Sequence, residues 1–239
     1  MKIEDLTLLT CTFNNNLLTK CMIMSLVKQL GIDIPIVIMD NGTTELCSNE
    51  MREIFNVIDN SNYKITGNFG QISRNHCASI DYALKNLIKT KYVLLCDNDI
   101  LFKPSVKDLI ENINDTDCVG EIEKDKCGKP WRVFPFFCII NVEKLKKENI
   151  NYFDETRCMN ELDTSFDEKG NWKADIRKSQ KSFGDTGSSF LWDIEKSNWK
   201  INKIKLEDYI LHFAMASWNP NVKNKIESWL TENRNLFII

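Results

Sequence analysis

Two carboxylates, two residues apart, directly follow a short apolar run. Residues 92–96 are apolar, and Asp97-Asn98-Asp99 come next. Carboxylate oxygens bind Mg²⁺ and Mn²⁺, and such an ion can bridge to phosphate oxygens and offset the charge that grows on a departing diphosphate. An acidic pair also closes many ordinary turns, so the motif alone leaves both interpretations open. An EF-hand loop is excluded, because the Gly and distal Glu that it requires do not follow in register.

Further polar groups follow two earlier apolar runs. The run at residues 6–12 leads into the turn-forming Asn14-Asn15-Asn16, and the run at residues 35–39 leads into Asp40-Asn41-Gly42-Thr43-Thr44. Helical patterns follow, at residues 17–30 before Gly31 and at residues 45–56.

The same alternation continues to the acidic motif. A brief strand is predicted at residues 63–66, and Ser73 can cap a helix whose apolar residues recur at helical spacing up to residue 88. Strands that alternate with helices predict a parallel sheet covered on both faces, and such sheets bind ligands at the carboxyl ends of their strands. The polar groups are therefore expected to converge in one crevice.

After residue 103 the pattern changes. Residues 104–113 predict a short helix, residues 133–142 a strand, and residues 221–233 a final helix. Residues 149–181 are polar and loop-like, and residues 188–193 carry alternating apolar side chains. No linker divides the chain, so residues 1–102 and 103–239 are interpreted as two halves of one catalytic domain.

Composition narrows the classes of protein. The chain has 239 residues and a formal net charge of -3, which does not favour a protein that coats nucleic acid. Nine cysteines without a C-x-x-C pair, and two histidines, make a structural zinc site improbable and favour reduced thiols. No leader is evident, and the apolar runs are far below the roughly 18 residues that cross a bilayer. A cytoplasmic protein is expected, with peripheral attachment to a membrane left open.

With its neighbours, the acidic motif resembles the glycosyltransferases of GT-A fold, especially the family two group. The matching pieces, over roughly residues 6–102, are Thr10-Cys11-Thr12-Phe13-Asn14, Asp40-Asn41-Gly42-Thr43-Thr44, Asn68-Phe69-Gly70-Gln71-Ile72-Ser73-Arg74-Asn75 and Asp97-Asn98-Asp99. The resemblance implies an α/β fold with a Rossmann-like, mostly parallel central sheet flanked by helices and a smaller acceptor-side region. It also implies sugar transfer from a nucleoside diphosphate donor, UDP being the expected nucleotide, to a saccharide, lipid-linked or protein acceptor.

The resemblance assigns roles to individual residues. Thr10, Thr12 and Asp40 would line the nucleobase and ribose pocket; Asn68 and Arg74 would lie near the nucleotide. Asp97 would face the ribose or donor sugar, and Asp99 would bind Mn²⁺ or Mg²⁺. The plain alternatives are a turn residue at Asp40 and a solvated helix charge at Arg74.

The second half of the chain resembles the family only loosely. His212 lies where many such enzymes place a third metal ligand, although a histidine beside apolar residues is often a packed core residue. An inverting transfer, which is expected, needs a general base. Asp185, between Gly184 and Gly187, is the first candidate; its rivals are Asp154, Glu155, Glu161 and Asp163. A retaining outcome is left open. Trp131, Arg132, Phe136 and Trp218 can shape an acceptor site or simply pack in the core.

Two other functions are weighed. A nucleotidyltransferase would carry a Gly-rich, basic loop after the first strand, and residues 12–16 contain neither Gly nor a cation. A sugar-binding domain without chemistry would tolerate loss of Asp97 and Asp99. Dinucleotide and P-loop sites are excluded, since neither G-x-G-x-x-G nor G-x-x-x-x-G-K-[ST] occurs.

Overall fold

The computed structural model describes residues 1–31, 34–42, 47–59, 69–124, 128, 130–152, 186–213 and 220–234. For residues 59, 69–75, 220, 221 and 223 only the backbone is described.

Within these ranges, seven strands form one sheet in the order β3-β2-β1-β4-β7-β6-β8. All pair in parallel except β7, which is antiparallel to both of its neighbours. The strands are β1 (Leu6–Thr12), β2 (Ile36–Asp40), β3 (Asn56–Asp59), β4 (Tyr92–Asp97), β6 (Cys118–Lys124), β7 (Pro130–Asn141) and β8 (Ile201–Lys203). The predicted mostly parallel sheet is therefore confirmed, and strands from both halves of the chain share it.

Helices cover the two faces of this sheet. On one face, Leu8 and Ile38 pack against α1 residues such as Met22. On the other, Leu9 and Leu95 pack with Ile80 of α3. The helices are α1 (Asn16–Leu30), α2 (Asn49–Ile54), α3 (Phe69–Asn86), α4 (Ser105–Glu111), α5 (Val142–Lys147), α6 (Ser188–Glu195) and α7 (Pro220–Glu232). Burial on both faces explains the continuous apolar runs of β1, β2 and β4.

A second, two-stranded sheet lies beside the acidic motif. It pairs β5 (Ile100–Phe102) with β9 (Ile210–His212) in antiparallel fashion, with Ile100 opposite His212. This pairing brings a residue from the end of the chain to the end of β4.

Several elements differ from the sequence predictions, and α5 and β5 were not predicted. The helix predicted at residues 45–56 is shorter, because Asn56–Asp59 instead form β3 and pair with β2. β6 was not predicted, since Gly120 and the charges after it obscure the alternation of a strand. Residues 188–193 lie in a helix, which buries Phe190, Leu191 and Ile194 at helical spacing. The strand predicted at residues 63–66 lies outside the described residues.

Among the described residues, no helix is long and apolar enough to cross a membrane.

Candidate active site

The acidic motif lies at the carboxyl ends of β1, β2 and β4, which we call the carboxyl edge of the sheet. Thr12 pairs with Asp40, and Cys11 pairs with Asp97, so all three strand ends reach the same level. Asn98 is buried and donates its side-chain N–H groups to the hydroxyl oxygens of Thr12 (3.2 Å) and Thr19 (3.1 Å). The middle residue of the motif thus ties the two carboxylates to β1 and α1.

Asp99 faces His212. The Oδ1 of Asp99 lies 3.6 Å from Nε2 of His212, and the Phe213 N–H donates to the Asp99 carbonyl at 2.8 Å. The ring of Phe136 stacks on the imidazole with centroids 4.2 Å apart and planes inclined by 20°. β5, β9 and β7 therefore fix the pair that the resemblance assigns to a metal.

The Asp99 and His212 pair offers one oxygen and one nitrogen donor, a combination that suits Mn²⁺. In the described part of the chain, no three His, Cys, Asp or Glu side chains are grouped so that they could hold an ion by themselves. An ion at this pair would therefore need further oxygen ligands, which phosphate groups of a substrate can supply.

Asp97 is the more exposed carboxylate. Its side chain is 23% exposed, against 3% for Asp99. Burial raises the pKa of Asp97, the charges of His76, His212 and Arg132 oppose that rise, and the charge of Asp99 adds to it. Two imidazoles and one guanidinium thus act on the pKa of the Asp97 carboxylate.

His76 is a member of the site that was not predicted. It lies on α3, is 25% exposed at its side chain, and places Nε2 3.6 Å from Oδ1 of Asp97. Its carbonyl accepts a weak hydrogen bond from the Cys11 thiol at 3.9 Å. Its position two residues after Arg74 was the one available signal in the sequence.

The two faces of the sheet contribute different residues to the carboxyl edge. Strand alternation places Thr10, Thr12 and Asp40 on the face covered by α1, with Leu8 and Ile38. Asp97 lies on the face of α3, beside His76. A ligand that contacts both sets must lie across the strand ends.

Thr10 and Thr12 are both buried. The Thr12 hydroxyl accepts from Thr19 Oγ1 at 3.0 Å, and its carbonyl accepts from the Asn41 N–H at 2.9 Å. Among the described residues, the Thr10 hydroxyl makes one long contact, 3.5 Å, to the Cys11 carbonyl. Their predicted contacts with a nucleotide stay predictions.

Asp40 has a structural role. Its fully buried carboxylate accepts from the N–H groups of Gly42 (3.0 Å) and Cys47 (2.7 Å) and from Arg52 Nη2 (2.9 Å). These donors match the turn interpretation, and the predicted contact between Asp40 and a nucleobase stays a prediction. Arg52 was not predicted, because a single cation on a short helix gives no sequence signal.

Several predicted site residues lie outside the described residues. These are Asn68, Asp185, the rival bases Asp154, Glu155, Glu161 and Asp163, and Trp218. Arg74 is part of α3, and only its backbone is described. Thr186, the residue after Asp185, contacts Cys77 of α3 at 3.2 Å between Oγ1 and Sγ. The described part of that segment thus contacts α3 at Cys77.

Arg132 and Trp131 lie together on β7. The guanidinium of Arg132 lies 4.6 Å from the centre of the Trp131 ring and forms an ion pair with Glu123. The acceptor role predicted for these residues is untested, whereas Phe136 has the defined contact with His212 described above.

No family model and no curated protein matches this chain. Solved structures of glycosyltransferases match it in structure. The galactosyltransferase LgtC, in complex with donor and acceptor sugar analogs, is 13% identical over 59% of this chain and 59% of its own, with a TM-score of 0.44. The glycosyltransferase GlyE of Streptococcus pneumoniae is 12% identical over 83% and 45%, with a TM-score of 0.46. A mannosyltransferase from Pyrobaculum calidifontis, in complex with GDP-Man and Mn²⁺, is 11% identical over 60% and 46%, with a TM-score of 0.41.

The matched regions cover about half of the length of these proteins. These structural neighbours are glycosyltransferases, at 11–13% identity.

Proposed function

We propose that this protein is a metal-dependent glycosyltransferase that uses a nucleoside diphosphate sugar as donor. One observation carries the proposal: Asp97 and Asp99 lie at the carboxyl edge of a mostly parallel sheet, with His212 brought from the other end of the chain to face Asp99. Two carboxylates and an imidazole at this edge suit the binding of a metal and a diphosphate.

Asp99 and His212 would hold Mn²⁺ or Mg²⁺. When bound, such an ion supplies positive charge that offsets the negative charge of the leaving diphosphate. Phe136 orients the His212 ring by stacking, and the paired β5 and β9 hold both side chains in place. Because these supports are independent of a ligand, the protein would bind the ion without rearranging the pair.

Asp97 would contact the ribose or the donor sugar, since it is the carboxylate that reaches solvent. Arg74 and Asn68 would lie near the nucleotide, as the sequence predicts. Asp185 is the proposed general base for an inverting transfer, and its neighbour Thr186 lies beside α3. UDP is the proposed nucleotide, with a saccharide, lipid-linked or protein acceptor.

The test is release of nucleoside diphosphate from a panel of UDP-, GDP- and dTDP-sugars, with and without Mn²⁺. We expect one donor class to be turned over, and only with the metal present.

The Asp99→Asn and His212→Gln variants should lose at least about tenfold in kcat/KM, because each removes a metal ligand. Phe136→Leu should weaken the apparent metal affinity about tenfold while leaving the ligands intact.

Asp108→Asn is the matched control, since Asp108 is an exposed carboxylate on α4. It should retain full activity. Turnover without a metal, or unchanged turnover by Asp99→Asn, would contradict the proposal. Formation of a sugar nucleotide from a sugar phosphate would instead identify a nucleotidyltransferase.

A further inference from the structure

A groove lies at the opposite end of the sheet from the acidic motif, where β1, β2, β3 and β4 begin. Its volume is about 500 Å³. The lining is mainly apolar and comes from the ends of α1 and α2, the start of β2 and the residues after α3; it includes Val27, Pro35, Ile54, Phe55 and Leu87. Ile54 is 64% exposed on α2. Ile54 thus extends the apolar surface of the groove.

Cationic side chains border this groove. Lys89 is part of its lining. Four more lysines lie on the neighbouring segments, and all are exposed: Lys85, Lys91, Lys146 and Lys147. We call the groove and these five lysines the rear surface.

The rear-surface lysines differ from Lys144 and Lys200 in their partners. In the described ranges, none of the five forms an ion pair with a carboxylate, whereas Lys144 pairs with Asp117 and Lys200 with Asp115 nearby. The Lys85 and Lys146 ammonium groups donate to neutral oxygens, those of the Asn151 side chain and the Ile88 carbonyl. Within the described ranges, the five ammonium groups are therefore not held by carboxylates of the protein.

Two of these cations repel one another. The Lys146 ammonium donates to the carbonyl of Ile88, the residue before Lys89, at 2.8 Å. Burial lowers the pKa of Lys146, and the positive charge of Lys89 lowers it further. An anion placed between them would relieve this repulsion. The geometry of the groove and the lysines is thus complementary to a ligand that is apolar at one end and anionic at the other.

We propose that the rear surface docks on a membrane that contains anionic phospholipid. Ile54 and the groove would contact acyl chains, and the lysines would contact the head groups. An apolar contact together with a polybasic patch gives two signals, which reversible attachment to a membrane requires. A nucleic acid would use the lysines but not the apolar groove.

This orientation has a consequence for the acceptor. The strands begin at the rear surface and end at the carboxyl edge, and β4 alone spans about 20 Å. The acidic motif would therefore face away from the membrane, toward acceptors in the aqueous phase. The docking proposal does not depend on the proposed function.

The test is co-sedimentation of the full chain with phosphatidylcholine vesicles, with and without phosphatidylglycerol. We expect binding only to the anionic vesicles, and weaker binding as salt rises, because added ions screen the lysines. The double variant Lys89→Glu/Lys147→Glu should lose at least tenfold in binding. At high salt, where the lysines are screened, Ile54→Ser should weaken the remaining binding, which depends on the apolar contact.

The control variant Lys107→Glu/Lys225→Glu changes the net charge equally, but at exposed positions on α4 and α7. It should bind anionic vesicles at least fivefold more tightly than the rear-surface double variant. Thermal unfolding of each variant establishes that it is folded. Failure of the wild-type protein to bind anionic vesicles would overturn the proposal. Equal binding by the two double variants would overturn it as well.

Discussion

Side chains at the carboxyl edge differ in how fully the protein satisfies their polar atoms. From described residues, the carboxylate of Asp40 accepts three hydrogen bonds, and the amide of Asn98 donates two to them. Asn15 lies in the loop after β1, is 1% exposed, and has neither Nδ2 nor Oδ1 hydrogen-bonded within the described structure. A buried amide without partners costs about 1–3 kcal/mol, so stability alone does not explain Asn15.

Replacement of Asn15 tests this difference. Asn15→Leu removes the unsatisfied amide and loses no capping bond, since the Asn15 side chain does not cap α1. We expect the free energy of unfolding to rise by about 1 kcal/mol. Chemical denaturation measures it.

Asn98→Leu is the comparison, because it removes a buried amide of the same size that is bonded. Its free energy of unfolding should fall by about 1–3 kcal/mol. Equal losses from both variants would show that Asn15 is satisfied in the folded protein.

At the scale of elements, α6 begins at a constrained glycine. Gly187 has φ +82°, and a Cβ there would lie 2.5 Å from the carbonyl oxygen of Val133. Gly31, which ends α1, has φ +69° but open space around its missing Cβ. An alanine at Gly31 would therefore suffer backbone strain alone, whereas an alanine at Gly187 would suffer strain and a steric clash.

We therefore expect Gly31→Ala to cost about 1–2 kcal/mol of unfolding free energy, the price of a left-handed conformation. Gly187→Ala should cost clearly more, because β7 must also move. Thermal denaturation compares the two. Equal losses would mean that the contact between Gly187 and Val133 is not tight in solution.

Asp117 links four elements of the second half of the chain: β6, β7, α5 and β8. It precedes β6 and accepts from Asn141 of β7 (3.1 Å), Lys144 of α5 (2.7 Å) and the Lys200 N–H before β8 (3.0 Å). Burial acts to raise the pKa of Asp117, but the hydrogen bonds from Lys144 and Lys200 outweigh it, so the pKa is lowered.

This shift predicts a pH dependence. The folded-state pKa of Asp117 lies below its unfolded value of about 3.9, so its stabilisation is complete above that pH and is lost as the pH falls through the folded-state pKa. The variant Asp117→Asn should be less stable than the wild type at neutral pH, and the gap should narrow below about pH 4. A gap that stays constant with pH would contradict the lowered pKa.

Across the whole molecule, sequence reasoning succeeded where burial on two faces leaves a continuous apolar run. β1, β2 and β4 were predicted with the polar groups that follow them. β3 was missed because its four residues continue the helical pattern before them, and β6 because Gly120 interrupts its alternation. His76 and Arg52 owe their roles to tertiary contacts with Asp97 and Asp40, which no local pattern records. The contact between Asp99 and His212 joins residues 113 positions apart, and only the resemblance pointed to it.

The whole fold thus separates two surfaces, an acidic motif at the carboxyl edge and a lysine-rich rear surface at the other end of the sheet. The central claim concerns the first: the carboxyl edge binds a nucleoside diphosphate through a metal held by Asp99 and His212. The most direct measurement is calorimetric titration of UDP into the protein, with and without Mn²⁺, for the wild type and for Asp99→Asn. We predict that Mn²⁺ tightens UDP binding to the wild type by about 5- to 150-fold, and that Asp99→Asn abolishes this effect. UDP affinity that is the same with and without Mn²⁺, or enhancement that survives in Asp99→Asn, would contradict it.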